Sequence, residues 1–285
     1  MKRGWLVGVM VGAMLAFSQA AWAGPVTLAG HDADDHGFDS IYAGLFDAIL
    51  SNVTNGGSGI LSLGADVGAD AALWITSVAS LMTTPQAVTF KNDADLSSIS
   101  FSGFAILEVP SDIFDTGGGI SGAENALLTA RSGDVAAFVN GGGGLFGLTQ
   151  GIFFPDPYGY ITGAGGIGAI TTLAVPPSGS LPSGANFDDV TATAAGGLLG
   201  ITDTNLDGCC WHNVYTSFPS FFDVLATANT PEPADDAYNG QAAAIGGATV
   251  TITPVNPVPE PASILLFGLG GLGAGLTRRR KFMKV

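Results

Sequence analysis

Three histidines stand in this chain, and all of them sit in segments crowded with other potential ligands. The first segment is His31-Asp32-Ala33-Asp34-Asp35-His36, two imidazoles and three carboxylates within six positions. Nitrogen and oxygen donors at this density can hold a divalent metal ion, and a solvated acidic loop is the competing reading. The second is Asp203-Thr204-Asn205-Leu206-Asp207-Gly208, which has the D-x-N-x-D-G opening of a calcium loop. Its twelfth position is Val214, where a bidentate Glu is needed, so Asp203, Asn205 and Asp207 form either an incomplete calcium site or an Asx-rich turn. Immediately after it, Cys209-Cys210-Trp211-His212-Asn213 carries the third histidine and could supply a second wall to the His31–His36 site.

The adjacent cysteines have no distant partner, which leaves a vicinal disulfide, free thiols or a bond to another chain. The last chemical candidate is Thr149, in Gly147-Leu148-Thr149-Gln150-Gly151 after a run of glycines. An internal threonine hydroxyl needs an activating base, and His212 is the only histidine downstream. The catalytic set is therefore incomplete, and the expectation is a non-catalytic body.

These residues need elements to position them. Val26 to Ala29 reads as a first strand, which places the His31–His36 loop at a strand's carboxyl end, where open α/β sheets bind ligands. Helices are expected over Ser40 to Leu50, Ala69 to Met82 and Ser121 to Asn140, the last opening as a capping box. Strands are expected over Ile60 to Gly64, Ala87 to Phe90, Phe104 to Pro110 and Leu145 to Leu148. Asp95 to Phe101 is ambiguous. In the second half, Ala169 to Val175 and Phe222 to Thr227 read as strands and Thr191 to Leu199 as a short helix. Gln241 to Ile252 reads as a final hairpin turning at Gly246-Gly247. Strands alternating with helices give an α/β fold, a mostly parallel sheet flanked by helices on both faces.

The two ends differ from the body. Lys2 and Arg3, the apolar stretch from Trp5 to Phe17, and Ala21-Trp22-Ala23 make a signal peptide over residues 1–23, with cleavage expected after Ala23 by signal peptidase. Residues 24–257 form an exported acidic domain, in a chain of 285 residues with a formal net charge of −15. Only Lys91 and Arg131 are basic within the domain, whereas every acidic residue except Glu260 lies inside it. Nucleic acid is excluded as a partner, because each phosphate needs a cationic side chain that is missing. Calcium or another divalent ion is the cofactor such a surface could take.

Residues 258–285 comprise Val258-Pro259-Glu260-Pro261-Ala262-Ser263, an apolar glycine-rich run to Leu276, and a cluster that includes Arg278, Arg279, Arg280 and Lys281. The run from Ala262 to Leu276 is shorter than the ~20 residues of a comfortable bilayer span. The arginines should stay cytoplasmic. This tripartite tail resembles the PEP-CTERM sorting signal of Gram-negative bacteria. The resemblance implies that an exosortase recognises Pro259, Glu260 and Pro261, that the tail is a transmembrane sorting helix, and that the body is exported across the inner membrane to the cell surface or extracellular matrix. It points to a surface or matrix protein linked to biofilm and exopolysaccharide, with extracellular polysaccharide as a partner. A metal- or carbohydrate-binding module and a hydrolase are the alternatives.

The stretch from Val26 to Gly151 also resembles the class I glutamine amidotransferase-like (flavodoxin-like) fold, in which a G-x-C-x-G elbow presents a nucleophile. That resemblance puts Thr149 at the nucleophile position, where the family has cysteine.

Overall fold

A computed structural model of the protein describes residues 22–36, 39–112, 117–150, 156–162, 170–174, 190–202, 206, 211–229 and 238–253. The expected signal peptide before Trp22, the Asp203, Asn205 and Asp207 candidates, Cys209-Cys210 and the sorting tail lie outside them.

Five strands run parallel: β1 (Val26–Ala29), β2 (Ile60–Leu63), β3 (Val88–Lys91), β4 (Ile106–Val109) and β5 (Gly144–Leu148). Their order is β3-β2-β4-β5-β1. β1, β2, β4 and β5 are buried along their whole length, as continuous apolar runs should be when helices cover both faces. One face is covered by α2 (Asp39–Asn52) and α3 (Asp70–Leu81), which bury Tyr42, Phe46, Trp74 and Ile75 against Ile60, Ile106 and Phe146. Trp74 and Phe46 lie with their ring centroids 6.3 and 4.8 Å from that of Phe146, so the aromatic cluster is centred on β5. Each such ring contributes roughly 1.5–3 kcal/mol by leaving water. In α3 the buried positions Ala71, Trp74, Ile75, Val78 and Ala79 fall at helical spacing. Asp47 of α2 accepts the Thr83 N–H and hydroxyl just past α3, which ties the two helices together.

The other face carries α4 (Gly122–Thr129) and α5 (Ser132–Asn140) over Leu61, Leu107 and Leu145. The single helix expected from Ser121 to Asn140 is broken at Ala130-Arg131, where Arg131 leaves helical geometry with φ −108° and ψ 17°. The expected capping box is present: Ser121 Oγ accepts from the Glu124 N–H, and the Glu124 carboxylate accepts from the Ser121 N–H at 2.9 Å. The other Glu124 oxygen accepts from Asp93 N–H, so the cap also holds the strained turn at Asp93, whose φ is +48°. Asp93–Ser97, which overlaps the start of the ambiguous stretch from Asp95 to Phe101, is a 3₁₀ turn.

The second half differs most from expectation. It adds antiparallel strands β6 (Thr171–Ala174), β8 (Asn213–Ser217) and β10 (Ala242–Gly247) beyond β1, so that the sheet reads β3-β2-β4-β5-β1-β10-β8-β6. β7 (Val190–Ala192) and β9 (Asp223–Ala228) pair with each other, and β9 also pairs with β10. The expected helix from Thr191 is instead β7 followed by a short helix (Ala194–Leu198), capped by Thr193. No hairpin turns at Gly246-Gly247. Gly246 (φ +150°) lies inside β10 opposite Thr27, where a Cβ would stand 1.9 Å from the Val26 carbonyl oxygen. Glycine lets β10 close against β1.

The order around β1 also departs from the flavodoxin-like pattern. There the first strand lies beside the second and third; here β1 lies between β5 and β10. Among the described residues no helix is long and apolar enough to cross a membrane.

Candidate metal site at the carboxyl edge of the sheet

The chain leaving β1 turns at Gly30 and enters a single helical turn, α1 (Ala33–His36). Asp32 precedes this turn and His36 follows four residues later, so both side chains face the same way. His36 Nε2 lies 3.2 Å from Asp32 Oδ2. The second imidazole arrives from far along the chain. His31 and Trp211 form an isolated antiparallel bridge, and the N–H groups of His212 and Asn213 both donate to the Gly30 carbonyl, at 2.8 and 3.0 Å. A Cβ on residue 30 would meet the Asn213 carbonyl oxygen at 2.1 Å. Only glycine admits this approach, and it brings His212 Nε2 to 2.9 Å from Asp32 Oδ2.

Asp32, His36 and His212 thus each offer a ligand atom, all within 4.8 Å of one another. Asp32 is fully buried, and the His36 and His212 side chains are 43% and 17% exposed. Close as they are, neither contact is aligned as a hydrogen bond to Asp32 Oδ2. Ligands about 2.0 Å from a tetrahedral ion stand roughly 3.3 Å apart, close to the 3.2 and 2.9 Å that separate the two imidazoles from Asp32 Oδ2. The exposed side leaves room for water or a further ligand.

His31 is placed differently. Its Nδ1 is 2.7 Å from the Tyr42 hydroxyl, and its ring stacks on Tyr42 and tilts against Trp211. It belongs to the aromatic wall behind the site. Asp34 points into the protein, accepting the Ser111 N–H at 2.9 Å. Burial pushes its carboxyl up to about 7; the Ser111 bonds pull it partway back, and the charges of Asp35 and Asp32 add to the rise. Asp35 reaches the other way, to where a Cβ on Gly117 would stand.

Thr149 follows β5 at the same sheet edge. It is fully buried and its hydroxyl donates to Asp112 Oδ1 at 3.0 Å, whereas His212 faces Asp32. The two candidate catalytic residues are therefore engaged with different carboxylates.

Sequence reasoning passed over Glu108, which lies within β4 and is 1% exposed. Burial pushes its carboxyl up to about 8, with Ser62 lowering it somewhat and the charge of Asp34 raising it. The available signal was one acid in an otherwise apolar strand, Ile106-Leu107-Glu108-Val109.

Residues 257–281 match the PEP-CTERM protein-sorting motif. The chain is thus an exported protein carrying the exosortase sorting motif, which implies membrane-anchored sorting in the cell envelope and processing by an exosortase. No curated protein and no solved structure matches the chain, and the amidotransferase-like resemblance gains no support from that comparison.

Proposed function

We propose that the body is a non-catalytic, divalent-metal-binding protein of the cell envelope, delivered to the surface or its matrix by the sorting tail. The observation that carries the metal reading is the convergence of the His36 and His212 Nε2 atoms on the buried Asp32 carboxylate without an aligned hydrogen bond. A buried carboxylate is costly unless it is neutralised. Two imidazoles and one carboxylate suit zinc and the neighbouring transition metals better than calcium, which prefers oxygen ligands throughout. The bound ion would gather segments from opposite ends of the body, the turn after β1 and the turn before β8. That arrangement serves stability outside the cell, and the ion's exposed side is open to a polyanionic matrix polysaccharide. The acidic surface of the body repels such a polymer elsewhere.

Calorimetric titration of the chelator-stripped full chain with Zn²⁺ tests the metal reading. One ion per chain is expected, with affinity falling at least tenfold in His212→Ala. Equal affinity in the two proteins would place zinc elsewhere.

A further inference from the structure

The packed body starts abruptly at Gly24. Trp22 is 73% exposed and Ala23 half-buried, whereas Gly24 and every residue from it through β1 are buried. The Gly24 N–H donates to the Val139 carbonyl at 2.7 Å, and the Gly24 carbonyl accepts the Val250 N–H at 2.9 Å. A Cβ on residue 24 would stand 2.0 Å from the Gly143 carbonyl oxygen, so the position admits only glycine. Val139 lies in the last turn of α5, and its carbonyl also accepts the Gly142 N–H at 2.9 Å.

The cut expected after Ala23 falls on the nitrogen that makes the first of these bonds. Hydrolysis adds one water across the Ala23–Gly24 peptide bond. The carboxylate leaves with the signal peptide, and the Gly24 nitrogen becomes a primary amine, protonated at neutral pH. One N–H of this ammonium keeps the direction of Val139, and the other two face the place that Ala23 occupied at the half-buried rim. The charge then stands at the negative end of α5, where the last carbonyls lack partners within the helix. A hydrogen bond from a charged donor is also stronger than one from an amide. The segments that meet here through Thr54, Val139 and Val250 contain no ionisable side chain over residues 51–59, 135–150 and 241–253. Asp134 and Arg131, at the start of α5, pair with each other at 2.8 Å.

We infer that the α-ammonium of the mature chain, created at Gly24, seats on the C-terminal carbonyl of α5 and locks the entry to β1 against that helix. Removal of the signal peptide then adds to the stability of the body. The inference rests on cleavage after Ala23. Seating favours the charged amine, so the folded chain holds the proton to higher pH than the unfolded chain does. The added stability is therefore fully present well below about pH 8, the ordinary range of an α-amino group, and is lost as the pH rises beyond it.

The test compares two chains that both run to Val285, one beginning at Gly24 and one at Ala21. Each is released from an N-terminal fusion by a protease, so its start is defined, and is melted in detergent micelles with EDTA at pH 6.5 and 9.5. The longer chain moves its ammonium three residues outward and retains the Thr54 hydroxyl bond to the Trp22 carbonyl, which does not titrate. The melting temperature of the Gly24 chain relative to the Ala21 chain is expected to be about 2 °C higher at pH 6.5 than at pH 9.5. A difference that is the same at both pH values, or that grows with pH, would overturn the lock. The mass of the protein exported from the full-length precursor tests the cleavage separately. A start at Gly24 is expected; any other start would overturn the assignment to the mature protein without altering the comparison of the two defined chains.

Discussion

With cations removed, Glu108 should make the protein less stable as the pH rises. Its carboxyl has an ordinary value of 4.5 and is pushed up to about 8 in the folded state, mainly by burial. Below about pH 4.5 the folded and unfolded chains both keep the proton. Between there and about pH 8 the folded chain holds a proton that the unfolded chain has released, so stability falls with pH. Each unit of difference is worth about 1.4 kcal/mol, which gives a ceiling on the order of 5 kcal/mol above pH 8. For a domain of this size that is a fall in melting temperature on the order of 10 °C. Glu108→Gln keeps the shape and cannot ionise. Melting curves in EDTA from pH 5 to 9 should show the variant gaining on wild type as the pH rises, with most of the gain between pH 5 and 8. Asp34 titrates in the same direction and is present in both proteins, so the difference between the profiles reports Glu108 together with its coupling to Asp34. Parallel profiles across the range would refute the reasoning.

Two further outcomes follow from backbone geometry. Gly30→Ala places a Cβ against the Asn213 carbonyl oxygen, so it should displace His212, weaken zinc binding at least as much as His212→Ala, and lower the melting temperature. Zinc affinity equal to wild type would show that Gly30 does not deliver His212. Ser121→Ala removes one half of the α4 capping box and should cost about 1 kcal/mol in denaturant titration, with zinc affinity unchanged.

The parallel half of the fold was legible because its strands are continuous apolar runs bounded by turn residues. Ile60-Leu61-Ser62-Leu63 and Phe104 to Pro110 announce themselves, and the site loop after β1 follows from its place in the order. The antiparallel half was not. Asn213-Val214-Tyr215-Thr216-Ser217 has no strong pattern and becomes β8 through pairing with β6 and β10, a tertiary effect. Gly246-Gly247 imitates a turn because a glycine needed for close strand approach looks the same in sequence as one needed for a bend. The break at Ala130-Arg131 is equally hidden, since both residues are good helix formers. At the candidate site, residue types marked the two loops whose histidines lie together, but spacing could not tell His31 from His36. Their roles separate only when Tyr42 and Trp211 enclose one ring and His212 arrives beside the other.

The closing contacts of the body decide how the molecule presents itself. Val250 N–H donates to the Gly24 carbonyl, and Asn140, at the end of α5, holds Ile252 through two hydrogen bonds of 2.8 Å. These contacts lie at the edge where β1 begins, and the sorting motif starts only a few residues later, at 257. Asp32, His36 and His212 lie at the opposite edge. The last described residues are thus fixed at the sheet edge opposite to Asp32, His36 and His212.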